Sequence, residues 1–146
     1  MKTIKIFTDG ACSGNPGAGG WGAVMLDGNT TEKYNGSELN TTNNRMELRA
    51  AIEGILKAPN DTIIVLYTDS KYVKEGITTW IKNWKCNHWL TSNKKPVKNQ
   101  DLWKKLDVLN QEKNISWEWV KGHQDNHDDK SIYNNMADEL AREAIK

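Results

Sequence analysis

The run Thr62-Ile63-Ile64-Val65-Leu66-Tyr67 constrains the fold more than any other segment. A continuous β-branched and apolar stretch of this length is the mark of a strand buried on both faces. Such a strand lies inside a sheet, and its parallel neighbours are reached through crossover helices. The flanking segments supply the helices. Leu48, Ala51, Ile52, Ile55 and Leu56 recur at helical spacing and form one apolar face, ended by Pro59. Residues 70–84 read as helix, interrupted near Gly76, and Leu102, Trp103, Leu106 and Leu109 mark another. Met136, Ala137, Leu140, Ala141, Ala144 and Ile145 mark a last one.

Further strands precede and follow. Residues 3–8 alternate as a strand and run into a turn-rich segment, Asp9 to Gly17. Residues 21–27 and 31–36 read as two strands joined at Asp27-Gly28-Asn29, a hairpin signal. Ile115, Trp117 and Trp119 alternate in a final strand. The order βββ-α-β-α-α-β-α predicts one α/β domain with a mixed sheet. A chain of 146 residues, 37% hydrophobic, has the material for one core and is too apolar for a disordered chain. No stretch approaches the roughly 18–20 apolar residues of a membrane span. The start, Met1 to Ile6, alternates charge and lacks the apolar region of a signal peptide. Cys12 and Cys86 are too few for a disulfide scaffold, so a reducing cytoplasm is expected.

The net charge of +1 conceals an asymmetry. Residues 71–105 hold nine lysines against Glu75 and Asp101, and four of the seven tryptophans lie between 80 and 103. The remainder is acidic. This division suggests a polyanion-binding face beside an acidic site, although a solvated helical surface would look the same by charge. The acids themselves fall at element ends. Asp9 follows the first strand and Asp69 the fourth. If those strands are parallel neighbours, both side chains sit at one carboxyl edge, where open α/β sheets build their sites. Glu47 opens the helix between them, and Asp138 lies in the first turn or so of the last helix. Carboxylates gathered there would repel unless hard divalent cations sat among them, with Mg²⁺ the natural guess. Each acid has a plainer role available: a hairpin turn at Asp9-Gly10, a capping box ending in Glu47, a cap by Asp69, an i,i+4 pair of Asp138 with Arg142.

Two motif matches fail. Gly17 to Gly22 satisfies G-x-G-x-x-G, but strand follows where a dinucleotide site needs a helix. His123 and His127 have zinc-like spacing without accompanying cysteines. His123, in a polar loop, is instead either an ordinary surface histidine or a mobile proton carrier.

Six motifs occur in order: Phe7-Thr8-Asp9-Gly10, Gly14-Asn15-Pro16-Gly17, Thr42-Asn43-Asn44-Arg45-Met46-Glu47-Leu48, Tyr67-Thr68-Asp69-Ser70, Trp119-Val120-Lys121-Gly122-His123 and Ala137-Asp138-Glu139-Leu140-Ala141. With them the chain closely resembles bacterial type 1 ribonucleases H, from about residue 3 to 144. The resemblance implies a ribonuclease H-like α/β fold whose five-stranded mixed sheet, three antiparallel strands plus two parallel, is flanked by helices. It implies one domain over 1–146, with a basic protrusion around 76–99. The implied activity is endonucleolytic hydrolysis of the RNA strand of RNA–DNA hybrids by a cytoplasmic monomer. Two Mg²⁺ ions, replaceable by Mn²⁺, would bracket the scissile phosphate roughly 3.5–4 Å apart and yield 5′-phosphate and 3′-hydroxyl ends. By the same resemblance Asp9, Glu47, Asp69 and Asp138 hold metal, and His123 assists. Cys12, Asn15, Asn43, Asn44 and Lys71 lie along the minor groove and its 2′-hydroxyls, Lys71 standing where the family usually has Gln. Thr42 and Asn99 take a DNA phosphate, and Trp80 packs on a DNA sugar. Trp84, Lys94, Lys95 and Lys98 belong to the basic protrusion. The segment from His123 to Asp138 is longer than in familiar members. Two other readings keep parts of this picture: a non-catalytic hybrid-binding domain, and transposase- or integrase-like strand transfer on the same fold.

Overall fold

A computed structural model describes residues 1–122 and 128–146. Its sheet has the order β3-β2-β1-β4-β5. The strands are β1 (Lys2–Gly14), β2 (Gly17–Asp27), β3 (Thr30–Thr41), β4 (Thr62–Thr68) and β5 (Asn114–Trp119). The first three are antiparallel, and β4 runs parallel to both β1 and β5. This is the expected mixed sheet, with the first and fourth strands adjacent.

The helices are α1 (Asn43–Lys57), α2 (Lys71–Glu75), α3 (Ile81–Cys86), α4 (Gln100–Glu112) and α5 (Asp129–Ala144). A π-helical turn, Gly76–Trp80, joins α2 to α3 at the predicted interruption. A β-carbon on Gly76 would stand 2.0 Å from the Trp103 ring, so the glycine lets this turn lie against the indole.

One face of the sheet packs Ile4, Ile6, Ile64 and Leu66 against Leu48, Ile52 and Ile55 of α1 and Trp103 and Leu106 of α4, all fully or almost fully buried. At about 25 cal/mol per Å² of apolar surface removed from water, this layer is the main source of stability. Leu56, expected on the apolar face of α1, is 48% exposed, while Ile55 and Ala58 beside it stay in the core. The opposite face is smaller: Phe7, Val24, Tyr67 and Val120 lie with Ala137 under α5. That helix covers β1, β2 and β3. The central run of β4 is therefore buried on one side but only half-buried at Ile63 and Val65 on the other.

Four boundaries differ from expectation. β1 continues through Asp9 to Gly14, and β2 begins at Gly17, because the turn-rich segment pairs with Gly17–Gly22 as a ladder. Asp9 is consequently inside a strand, opposite Gly22. β3 likewise extends to Thr41. α5 starts at Asp129, where Asp128 caps it by accepting from the Ser131 amide at 2.8 Å. Asp138 thus sits in its third turn rather than its first.

Candidate active site

β1 and β4 stay in parallel register up to Thr8 and Thr68, so Asp9 and Asp69 emerge level with each other at the carboxyl end of that pair. Asp9 is 3% exposed, and its Oδ1 accepts from the Gly10 amide at 2.9 Å. Gly10 has no side chain to hold α1 away: a β-carbon there would lie 2.4 Å from the Glu47 nitrogen. This close approach brings Glu47 over β1. Gly22 plays the same part for α5, since a β-carbon there would lie 2.4 Å from the Ala137 carbonyl oxygen.

Ligand atoms of Asp9, Glu47 and Asp69 all lie within 4.8 Å of one another. None serves the plainer role available to it. The cap of α1 is Thr42, whose Oγ1 accepts from the Arg45 amide at 3.2 Å, and the cap of α2 is Ser70. Asp138 adjoins the group through Asp9, while its Oδ2 accepts from Arg142 Nε at 3.1 Å. The i,i+4 pair anticipated for it therefore forms.

Burial, then the charges of Glu47 and Asp69, push the Asp9 carboxyl from its ordinary 3.8 up to about 11. Burial and then the Asp69 charge hold Glu47 well above the carboxylate range. Glu47 Oε1 is buried without a hydrogen-bond partner among the described residues. Hard oxygen donors, mutual repulsion and an orphaned buried oxygen together fit a hard divalent cation.

The remaining predicted residues form two surfaces. Asn15, at the β1–β2 turn, accepts at Oδ1 from the Asn43 amide (3.3 Å), and Asn43 and Asn44 are exposed beside it. Cys12 Sγ donates to the Thr41 carbonyl at 3.4 Å, placing it against the same edge. Lys71 lies beyond Asp69, its Nζ 4.9 Å above the Trp119 ring. Trp119 in turn donates from Nε1 to the Asp69 carbonyl at 3.1 Å.

Thr42 and Asn99 are joined through Arg45, which donates from Nη1 to Asn99 Oδ1 at 3.2 Å and binds both carboxylate oxygens of Asp101. The Arg45 guanidinium holds the Asp101 carboxyl below its ordinary value. Trp80 and Trp84 belong to an aromatic cluster with Tyr72, Trp89 and Trp103, whose rings meet tilted or edge-on. Lys94, Lys95 and Lys98 are exposed on the segment around the Leu90–Pro96 bridge. His123 lies outside the described residues.

Sequence reading missed Arg45, although it sits between Asn44 and Glu47 in a quoted motif. It missed Asn134, four residues before Asp138 and 1% exposed, because the early start of α5 went unread. The i,i+4 spacing on a correctly bounded helix would have placed both on one face.

The RNase H family model matches residues 1–146. A ribonuclease H of Ruthia magnifica subsp. Calyptogena magnifica is 54% identical over 147 residues, covering 99% of this chain and 97% of that protein. LC9-RNase H1, described as a type 1 RNase H with the type 2 active-site motif, superposes with a TM-score of 0.85 at 27% identity, over 99% of this chain and 72% of its own. LC11-RNase H1, solved in complex with an RNA/DNA hybrid, shares the fold with a TM-score of 0.70 at 23% identity, over 97% of this chain and 96% of its own.

Proposed function

This chain belongs to the ribonuclease H family and is a ribonuclease H enzyme; from that premise we propose that it hydrolyses the RNA strand of RNA–DNA hybrids with two Mg²⁺ ions, leaving 5′-phosphate and 3′-hydroxyl ends. The observation that carries this reading is the convergence of Asp9, Glu47 and Asp69 within 4.8 Å, with Glu47 Oε1 buried and unpartnered among the described residues.

Asp9, Glu47, Asp69 and Asp138 are the residues that would hold the cations, with Mn²⁺ as the substitute. Bound there, such ions supply a water of lowered pKa and neutralise charge on the departing 3′ oxygen. Asp9, on the central strand β1, would hold the cations together with its neighbours Glu47 and Asp69. Asp138 would exchange its Arg142 partner for a cation. His123 is assigned as the proton carrier, since an imidazole titrates near working pH.

The surface of Cys12, Asn15, Asn43, Asn44 and Lys71 is assigned to the minor groove, where 2′-hydroxyls distinguish RNA. Thr42 and Asn99 are assigned to a DNA phosphate, and Trp80 to a DNA sugar. Residues 76–99 form the basic protrusion of a single domain, with Trp84, Lys94, Lys95 and Lys98 meeting the substrate. Among the described residues no helix is long and apolar enough to cross a membrane. The unpaired Cys12 and Cys86 suit a cytoplasmic monomer.

A gel assay on labelled hybrid, duplex RNA, duplex DNA and a DNA duplex with one ribonucleotide, with and without Mg²⁺, tests the reading. Cleavage of the hybrid's RNA strand, dependent on Mg²⁺, is the expected result. Binding without cleavage would return the non-catalytic reading, and joined products would return strand transfer.

A further inference from the structure

Asn134 is 1% exposed, and its carboxamide is the one buried side-chain amide on α5 that reaches the acidic cluster among the described residues. Its Nδ2 lies 3.5 Å from Asp69 Oδ2, while its Oδ1 is buried with no partner among the described residues. The contact is at the long end of hydrogen bonding, and hydrogen bonds at catalytic sites commonly shorten when the substrate complex forms. An unpaired buried acceptor costs roughly 1–3 kcal/mol. An apolar residue, beside the fully buried Ala137 and Ala141, would avoid that cost. The carboxamide is therefore a liability to the fold alone.

Its position explains it. One helical turn separates Asn134 from Asp138, so both side chains leave the same face of α5. The Asp69 backbone is already pinned by the Trp119 indole. Rotation of the Asp69 carboxylate is what Asn134 is placed to set. A donor facing that carboxylate also offsets the repulsion of Asp9 and Glu47.

We propose that Asn134 is a positioning residue for Asp69: its N–H orients the carboxylate that would hold a cation, and its buried Oδ1, unpartnered among the described residues, is left available to a cation-held water. This rests on the function proposed above. Partners that orient a metal-ligating carboxylate typically account for 10–100-fold in affinity or activity.

The test compares wild type, Asn134→Ala and Asn134→Asp by Mn²⁺ binding in isothermal titration, by steady-state cleavage of hybrid, and by thermal unfolding in EDTA. Asn134→Ala should weaken Mn²⁺ binding about 10–100-fold and lower kcat to a similar degree. Its KM should stay within about twofold, because substrate contacts are untouched. Its metal-free Tm should not fall. Asn134→Asp keeps the volume but sets a like charge against Asp69, so kcat should drop at least as far. If Asn134→Ala fails to fold, the Asp variant decides. Unchanged kcat and Mn²⁺ isotherms would overturn the proposal. So would a fall in kcat accompanied by a lower metal-free Tm and an unchanged isotherm, the signature of a purely structural amide. A wild-type chain that bound Mn²⁺ without cutting hybrid would overturn the proposed function, and the isotherms would still decide the role of Asn134.

Discussion

Asp9 pairs a buried position in the middle of a sheet with two further carboxyls inside 4.8 Å. Its pKa of about 11, against 3.8 ordinarily, has a definite sign for stability. The folded state keeps a proton that the unfolded chain releases, so this stabilisation is complete below about pH 4 and is lost as pH rises toward 11. In EDTA the Tm should fall from pH 5 to 9, at most by about 3–5 °C per pH unit. Asn at position 9 cannot ionise, so Asp9→Asn should flatten that slope; calorimetry of both proteins across the range checks it. Asp69→Asn should abolish hybrid cleavage while leaving the metal-free Tm equal or higher, because it removes one of the repelling charges. An active Asp69→Asn protein would remove Asp69 from the assignment.

Elements, not single residues, decide how the acids meet. β1 carries Asp9 to the level of Asp69, α1 lowers Glu47 over Gly10, and α5 crosses β2 at Gly22. Periodicity made α1, β4 and α4 readable, since each has an apolar pattern of its own. It did not reveal β1 beyond Thr8. Asp9 to Gly14 has little apolar alternation, and its extended form comes from pairing with Gly17–Gly22. The first two turns of α5 were equally hidden, because Asp129, Lys130 and Asn135 dilute the apolar face and Ile132 is 42% exposed. The segment after α3 makes a separate contribution. Lys94, Lys95 and Lys98 are exposed there. Replacing all three by Ala should raise KM and leave kcat at saturating hybrid unchanged, since ground and transition states lose the same contacts. The log–log salt slope of binding should flatten by up to ~3 units, about 0.9 per lost phosphate contact. A triple variant with the wild-type slope would show that the lysines meet only solvent.

For the molecule as a whole, the proposed cation site would link folding to cation binding. A ligand that binds only the folded state at 100 times its Kd stabilises by about 2.7 kcal/mol. At roughly 2–4 °C per kcal/mol for a chain near this size, saturating Mg²⁺ should raise the Tm by about 5–11 °C. Asp69→Asn should lose most of that rise. A wild-type Tm indifferent to Mg²⁺ would mean that the cluster binds no cation in the free protein. The acids Asp9, Glu47 and Asp69 gather at one edge of the sheet. Arg45, between Thr42 and Asn99, ties the start of α1 to the segment before α4.

Local pattern was enough for the order of elements, which follows from side-chain periodicity. The parallel placement of β1 beside β4 entered only as a condition, and the acids were singled out as metal-holding by the family resemblance. Their distances and the meeting of Asn134 with Asp69 did not follow. Asn134 and Asp69 are 65 residues apart. Only the packing of α5 across the sheet brings them together, and that packing depends on close backbone approach at Gly22, where no pattern along the chain records which helix arrives.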